Sequence, residues 1–140
     1  MIENKLFDPI RKVFIKSAPE ELVRQKTLQK LIAIGYPPYL LGVEKPLSKL
    51  CKVLHGKIPN RKVDIVCFSK KDGAPFVLIE CKAAKITQKA VDQVMGYNRI
   101  VQAPYIVVIG IDQVMMGYWD HERSKYEFID RILPYNELIK

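Results

Sequence analysis

Lys62-Val63-Asp64-Ile65-Val66-Cys67-Phe68, a turn at Lys70-Lys71-Asp72-Gly73, and then Pro75-Phe76-Val77-Leu78-Ile79-Glu80-Cys81-Lys82 decide how this chain is read. Both flanking runs are short, rich in β-branched and aromatic residues, and bounded by turn formers, which predicts strands over Lys62–Ser69 and Pro75–Lys82. The Asp-Gly pair predicts that they form a hairpin. A hairpin centred near Asp72 pairs residues equidistant from it, and Asp64 lies eight positions before that centre while Glu80 lies eight after. The two acids should therefore face each other, with Cβ atoms about 4.5–5.5 Å apart. Side chains alternate along a strand, so Lys82 shares the face of Glu80. A slip of one residue would part the pair.

Chemistry follows from that juxtaposition. An acid and a base at the end of an apolar strand are costly to bury unless they are paired or set against a cation. Two adjacent carboxylates repel each other unless a cation lies between them. Oxygen donors suit Mg²⁺ or Ca²⁺, and Mg²⁺ is the ion that accompanies phosphates. Lys82 beside such an ion would orient or activate a water, or neutralise charge on a scissile phosphate. A Glu-x-Lys pair alone is most often a surface ion pair. The apolar frame around it and the facing Asp64 lift this one above chance.

Outward from the hairpin, Ser17-Ala18-Pro19-Glu20 reads as a capping box with proline in the first turn, opening a helix that runs to about Ile34 and ends at Gly35. Pro37-Pro38 prevents its continuation. Leu40–Glu44 reads as a short strand and Lys45–Lys62 as a basic loop. A second helix is expected from about Thr87, its cap, to Val101, with Ala90, Val94, Tyr97 and Val101 on one face. Pro104–Ile111 is apolar throughout, the signature of a strand buried on both faces. Met116–Asp120 and Lys125–Ile129 form a further hairpin, and Pro134–Lys140 a terminal helix. The order αβββαβββα predicts a mixed α/β layer structure.

Composition narrows the function. The 140 residues are 49% hydrophobic and 27% charged, ordinary globular values, and read as a single domain with no repeat or linker across 1–140. Three cysteines without a CxxC clip read as reduced thiols of a cytoplasmic chain. Ala103–Ile111 is too short to cross a bilayer, so no membrane role is expected. Two histidines, four serines outside GxSxG, and the absence of GxxxxGK[ST] or GxGxxG argue against a multi-histidine zinc site, a serine hydrolase, a P-loop motor and a dinucleotide enzyme. No organic cofactor is expected. Carboxylate and lysine chemistry remains.

The chain also resembles a known family. Asp64, sixteen residues before Glu80-Cys81-Lys82, is similar to the active-site signature of the PD-(D/E)xK nuclease superfamily. Pro19-Glu20-Glu21-Leu22-Val23-Arg24-Gln25, Gly35-Tyr36-Pro37, Arg61–Val66, Leu78–Ala83 and Gln93-x-x-x-Tyr97-Asn98 together resemble the N-terminal nuclease domain of type I restriction enzyme R subunits. The resemblance implies a restriction-endonuclease-like fold, a central mixed β-sheet flanked by helices. It implies Mg²⁺-dependent hydrolysis of DNA phosphodiesters, with Mn²⁺ as a substitute ion. Carried over by residue, Asp64 and Glu80 bind metal, the Cys81 carbonyl adds a ligand, Lys82 handles the attacking water, and Glu21 adds a metal or water contact. Gln93 and Tyr97 match an element that supports the site and contacts nucleic acid. Amphipathic packing of Tyr97 in the core, and an ordinary helix-dipole role for Glu21, stand beside those assignments. Val63 replaces the superfamily's proline, and Ile109-Gly110-Ile111-Asp112-Gln113 stands where the family usually shows an Asn-Gly turn.

The charge points to a polyanion. The formal net charge is +8, and Lys45–Lys71 holds eight basic residues against the single acid Asp64. Arg61, Lys62, Lys70, Lys71, Lys85 and Lys89 are the expected phosphate contacts, and such contacts position a duplex without reading its sequence. DNA is the expected partner, with RNA left open. A homodimer, or partner subunits supplying recognition and motor, would complete the activity. A junction-resolvase-like, structure-selective nuclease and a non-catalytic DNA-binding module on the same fold stand as alternatives.

Overall fold

A computed structural model describes residues 5–52 and 56–139. The chain opens with an antiparallel hairpin, β1 (Lys5–Asp8) and β2 (Val13–Lys16), followed by α1 (Pro19–Ala33). After a 3₁₀ turn at Pro38–Leu40 come β3 (Leu41–Pro46), a single helical turn α2 (Leu47–Leu50), β4 (Lys62–Phe68) and β5 (Pro75–Cys81). Helix α3 (Gln88–Val101) then leads to β6 (Tyr105–Gly110), β7 (Gln113–Asp120), β8 (Lys125–Ile129) and the short α4 (Tyr135–Leu138). Part of the expected basic loop, including His55, lies outside the described residues.

Strands β3 to β8 form one sheet in sequence order. Only β5 and β6 run parallel, and the other neighbours are antiparallel. A parallel pair needs a crossover, which α3 supplies. The sheet is apolar on both faces, which explains the near-continuous hydrophobic runs of β5 and β6. Ile65, Ile79 and Val107 pack with Leu28 and Leu31 of α1, while Val66, Leu78 and Ile106 pack with Val94 and Tyr97 of α3. The mixed sheet flanked by helices is the architecture expected from the sequence.

Several boundaries differ, each for a local reason. The N-cap of α1 is Ala18 rather than Ser17, and no side chain caps it. Pro19 at the first helical position replaces that support, since it has no N–H to satisfy. Gly35, at φ +98°, provides the left-handed step that ends the helix. Strand β7 begins at Gln113 rather than Met116, because β6 and β7 pair from Gly110 and Gln113 onward. Asp112, at φ +56°, makes the tight turn for which the family's usual Asn-Gly is suited. The β1–β2 hairpin and α2 were not expected. By contrast, the Thr87 hydroxyl accepts from the Ala90 N–H at 3.2 Å and caps α3 as anticipated.

Gly110 anchors the loop beyond β5. Its Cα lies so close to that loop that an added Cβ would stand 2.5 Å from the Ala84 carbonyl oxygen. That carbonyl also accepts from the Ile111 N–H at 2.9 Å, tying the segment beyond Lys82 to the end of β6. Gly110→Ala is expected to cost about 2 kcal/mol and lower Tm by roughly 5 °C in a thermal melt. An unchanged Tm would contradict this close approach.

Candidate active site

The β4–β5 hairpin pairs Ile65 with Ile79, Val66 with Leu78 and Cys67 with Val77, so the next step toward the open end brings Asp64 beside Glu80. The Cys81 N–H donates to Asp64 Oδ2 at 2.8 Å, and the Asp64 N–H approaches Glu80 Oε1 at 3.4 Å. Glu80 is only 5% exposed. Burial, and then the charge of Asp64, push its carboxyl up to about 8, against the opposing pull of Lys82. Cys81 is buried too, and burial followed by the Asp64 charge push its thiol up to about 12. Its thiol therefore supplies no thiolate near neutral pH.

Lys82 follows β5 directly and donates from Nζ to Gln93 Oε1 at 3.1 Å. Gln93 Nε2 in turn donates to the Tyr97 hydroxyl at 2.7 Å. The i, i+4 spacing on α3 stacks these two side chains on one face, so the helix holds the amine through a short chain of hydrogen bonds. The Tyr97 ring packs in the α3 core, as the packing alternative expects, with its hydroxyl turned to Gln93.

On the other side Asp64 meets α1. Arg24 Nη2 donates to Asp64 Oδ1 at 2.8 Å, while Arg24 Nη1 pairs with Glu21. Arg24 also lies 3.3 Å from Glu44, and Arg11 Nη1 lies 3.2 Å from the same carboxylate. Arg11 Nη2 pairs with Glu21 at 2.6 Å. Burial opposes the charge on Arg24, but the hydrogen bond and attraction of Asp64, with Glu21 and Glu44, outweigh it and hold the guanidinium above its ordinary value. Glu21 thus stands behind Arg24 rather than against the Asp64–Glu80 pair. Neither Glu44 nor Arg11 was expected from the sequence. Glu44 is a lone acid in the apolar strand Leu41-Gly42-Val43, and its neighbours Val43 and Lys45 pair with Ile65 and Val63, on either side of Asp64. Its backbone sits in the left-handed region at φ +52°, a strained conformation for a residue with a Cβ.

Of the basic residues, Arg61 and Lys62 enter β4 just before Asp64, and Lys85 and Lys89 follow Lys82 into α3; all four are exposed. Lys70 and Lys71 are exposed in the β4–β5 turn. Lys70 lies six positions beyond Asp64, about 20 Å along an extended chain, which puts both lysines at the far end of the hairpin. The turn that brings the acids together is what carries these lysines away.

Residues 19–134 match the sequence profile of the type I restriction enzyme R protein N terminus (HSDR_N). The chain belongs to that family. No curated protein matches it in sequence. In structure it is similar to a DUF820 protein from Anabaena variabilis, with a TM-score of 0.48 and 12% identity over 94% of this chain and 80% of that one. What the chain itself shows is a six-stranded mixed sheet between helices.

A divalent ion is part of what this R-protein family implies, and the donors fit one in kind. Asp64 and Glu80 offer hard carboxylate oxygens side by side, and burial together with the Asp64 charge opposes ionisation of Glu80, which a bound cation would favour. Among the described residues no three His, Cys, Asp or Glu side chains gather around one point. Glu21 and Glu44 are turned to arginines instead. Two carboxylates suit an ion that keeps most of its water, as Mg²⁺ does.

The Glu80 carboxyl titrates near 8 in the fold against 4.5 when unperturbed, so between those values the folded state holds a proton that the unfolded chain has released. This group's contribution to metal-free stability is therefore full below 4.5 and lost as pH rises toward 8. In EDTA, Glu80→Gln should raise Tm by about 5 °C at pH 8 and change little at pH 5; an equal shift at both values would contradict it. Arg24→Met leaves buried carboxylates uncompensated and should cost about 3 kcal/mol in a denaturant titration.

Proposed function

We propose that this R-protein N-terminal domain is a Mg²⁺-dependent DNA endonuclease, with Mn²⁺ as a working substitute. The observation that supports it is the contact of Asp64 with Glu80, with Lys82 two residues further along the chain, just past the end of β5, and steered by Gln93. Asp64, Glu80 and the Cys81 carbonyl would hold the ion, which when bound would supply charge stabilisation at the scissile phosphate. Lys82 orients the attacking water and meets negative charge developing on the phosphate oxygens. Water oxygen bonds to phosphorus as the bond to one sugar oxygen breaks; the water gives up one proton to solvent and the departing oxygen takes one from it, leaving a phosphomonoester and a sugar hydroxyl. Gln93 is a positioning residue that fixes the Lys82 amine, and Tyr97 fixes Gln93. Arg24 holds Asp64 in place through its hydrogen bond, and Glu21 acts through Arg24. Arg61, Lys62, Lys85 and Lys89 hold backbone phosphates on either side of the cut, which gives binding without sequence reading.

Nicking of supercoiled plasmid tests this. Cleavage should require Mg²⁺ or Mn²⁺ and stop in EDTA. Asp64→Ala, Glu80→Ala and Lys82→Ala should each lower the rate by about 10²–10³, and Gln93→Ala by about 10–100. A purified triple variant that cuts as fast as the wild type would overturn the assignment.

A further inference from the structure

The β1–β2 hairpin lies outside the residues that match the family, which begin at 19. It is a two-stranded ribbon apart from the main sheet, an arrangement only marginally stable on its own. What holds it is a buried acid. Asp8 is fully buried and accepts from the Ile10 and Arg11 N–H groups and Arg11 Nε, each at 2.8 Å, and from Gln25 Nε2 of α1 at 2.9 Å. Arg11, fixed in this way, reaches Glu21 and Glu44. The hairpin is thus fastened to the charged network that ends at Asp64.

Its outward side sets aromatic rings among lysines. Phe7 pairs with Phe14 and Lys5 with Lys16, and the period of two puts all four on one face. Phe7 is 52% exposed and Phe14 70%, their rings 5.2 Å apart and 65° to one another. Lys5 and Lys16 are exposed beside them, as is Lys12 at the turn. Two aromatic rings left in water, framed by ammonium groups, answer to a ligand that offers flat apolar faces and negative charge together. Nucleobases on a phosphate backbone have that chemistry. In a duplex those faces are already stacked, so the rings can take only unpaired bases. A second copy of the same face would bring lysines against lysines.

We propose that the β1–β2 hairpin is a binding arm for single-stranded DNA, stacking unpaired bases on Phe7 and Phe14 while Lys5 and Lys16 hold the adjoining phosphates. The arm lies three ion pairs away from Asp64, through Arg11–Glu44, Glu44–Arg24 and Arg24–Asp64, so it would draw partly unpaired DNA to the cleavage site. The placement beside a cut rests on the nuclease reading; the binding itself does not.

Binding measured in EDTA separates the two. Fluorescence anisotropy with labelled oligo-dT, and with a blunt duplex of equal length, should show that Phe7→Leu/Phe14→Leu weakens the single strand about tenfold and the duplex less than twofold. Leucine keeps the ribbon apolar, and an unchanged thermal melt confirms that it remains folded. Lys5→Ala/Lys16→Ala should flatten the salt dependence for the single strand by about 1.4 log units per decade. An oligo-dT affinity unmoved by the leucine pair, or an equal loss for both DNAs, overturns the arm. So does a leucine pair that leaves DNA affinity intact but converts a dimer to a monomer in light scattering. Stronger binding of oligo-U than oligo-dT would overturn the choice of DNA.

Discussion

The register of the β4–β5 hairpin is the constraint on which the rest depends. In a sheet with one wet face, hydrophobic alternation fixes the register, because a slip exposes the core. Here both faces are apolar, and Ile65, Val66, Leu78 and Ile79 would be buried in either setting. Alternation therefore specifies little. The turn does more: the Ser69 N–H donates to the Ala74 carbonyl at 2.7 Å, and the Gly73 N–H to the Ser69 carbonyl at 2.8 Å. Gly73 takes φ +72°, and the extra residue in the register is absorbed between Cys67 and Phe68. At the other end the bond from the Cys81 N–H to Asp64 locks the strands again. The polar residues set the pairing, and the apolar ones accept it.

That pairing places two carboxylates together where burial alone would separate them, and the surroundings divide the consequences unequally. Asp64 is turned toward Arg24 and is neutralised in place. Glu80 is buried with Asp64 beside it, and the pull of Lys82 does not offset them, so its carboxyl is held in the neutral form to a higher pH. Arg24 and Arg11 link four acids, from Asp8 in the hairpin through Glu21 and Glu44 to Asp64. Breaking one member of such a buried group strands its partners, which is more costly than the pairing is favourable. The strained backbone at Glu44 belongs to the same cluster, consistent with an acid held for its position rather than for the strand.

Much of this was legible in the sequence, and the parts that were not share a cause. The hairpin was readable because a short turn fixes the relation between its strands, so Asp64 could be placed against Glu80 by position alone. Gln93 and Tyr97 were readable because helical spacing is rigid. Glu44 was not, because a long basic segment separates β3 from β4 and no tight turn sets their register. Arg11 and Asp8 were missed for a related reason: a two-stranded ribbon whose outer face carries Phe7 and Phe14 in solvent lacks the pattern of a half-buried sheet, and only its docking on α1 makes it ordered. Lys70 and Lys71 were misplaced by sequence proximity, since nearness along an extended strand is distance in space. The family resemblance, carried by blocks from α1 to α3, agrees with the sheet and helices as found.

Calorimetric titration of Mn²⁺ into the wild-type chain and into Asp64→Asn tests the proposed cation site without any choice of substrate. One ion per chain should bind the wild type, with protons released as Glu80 ionises, and the heat should vanish in the variant. Equal binding by both proteins would mean that the Asp64–Glu80 pair does not hold the ion, and the hydrolytic account would fall with it.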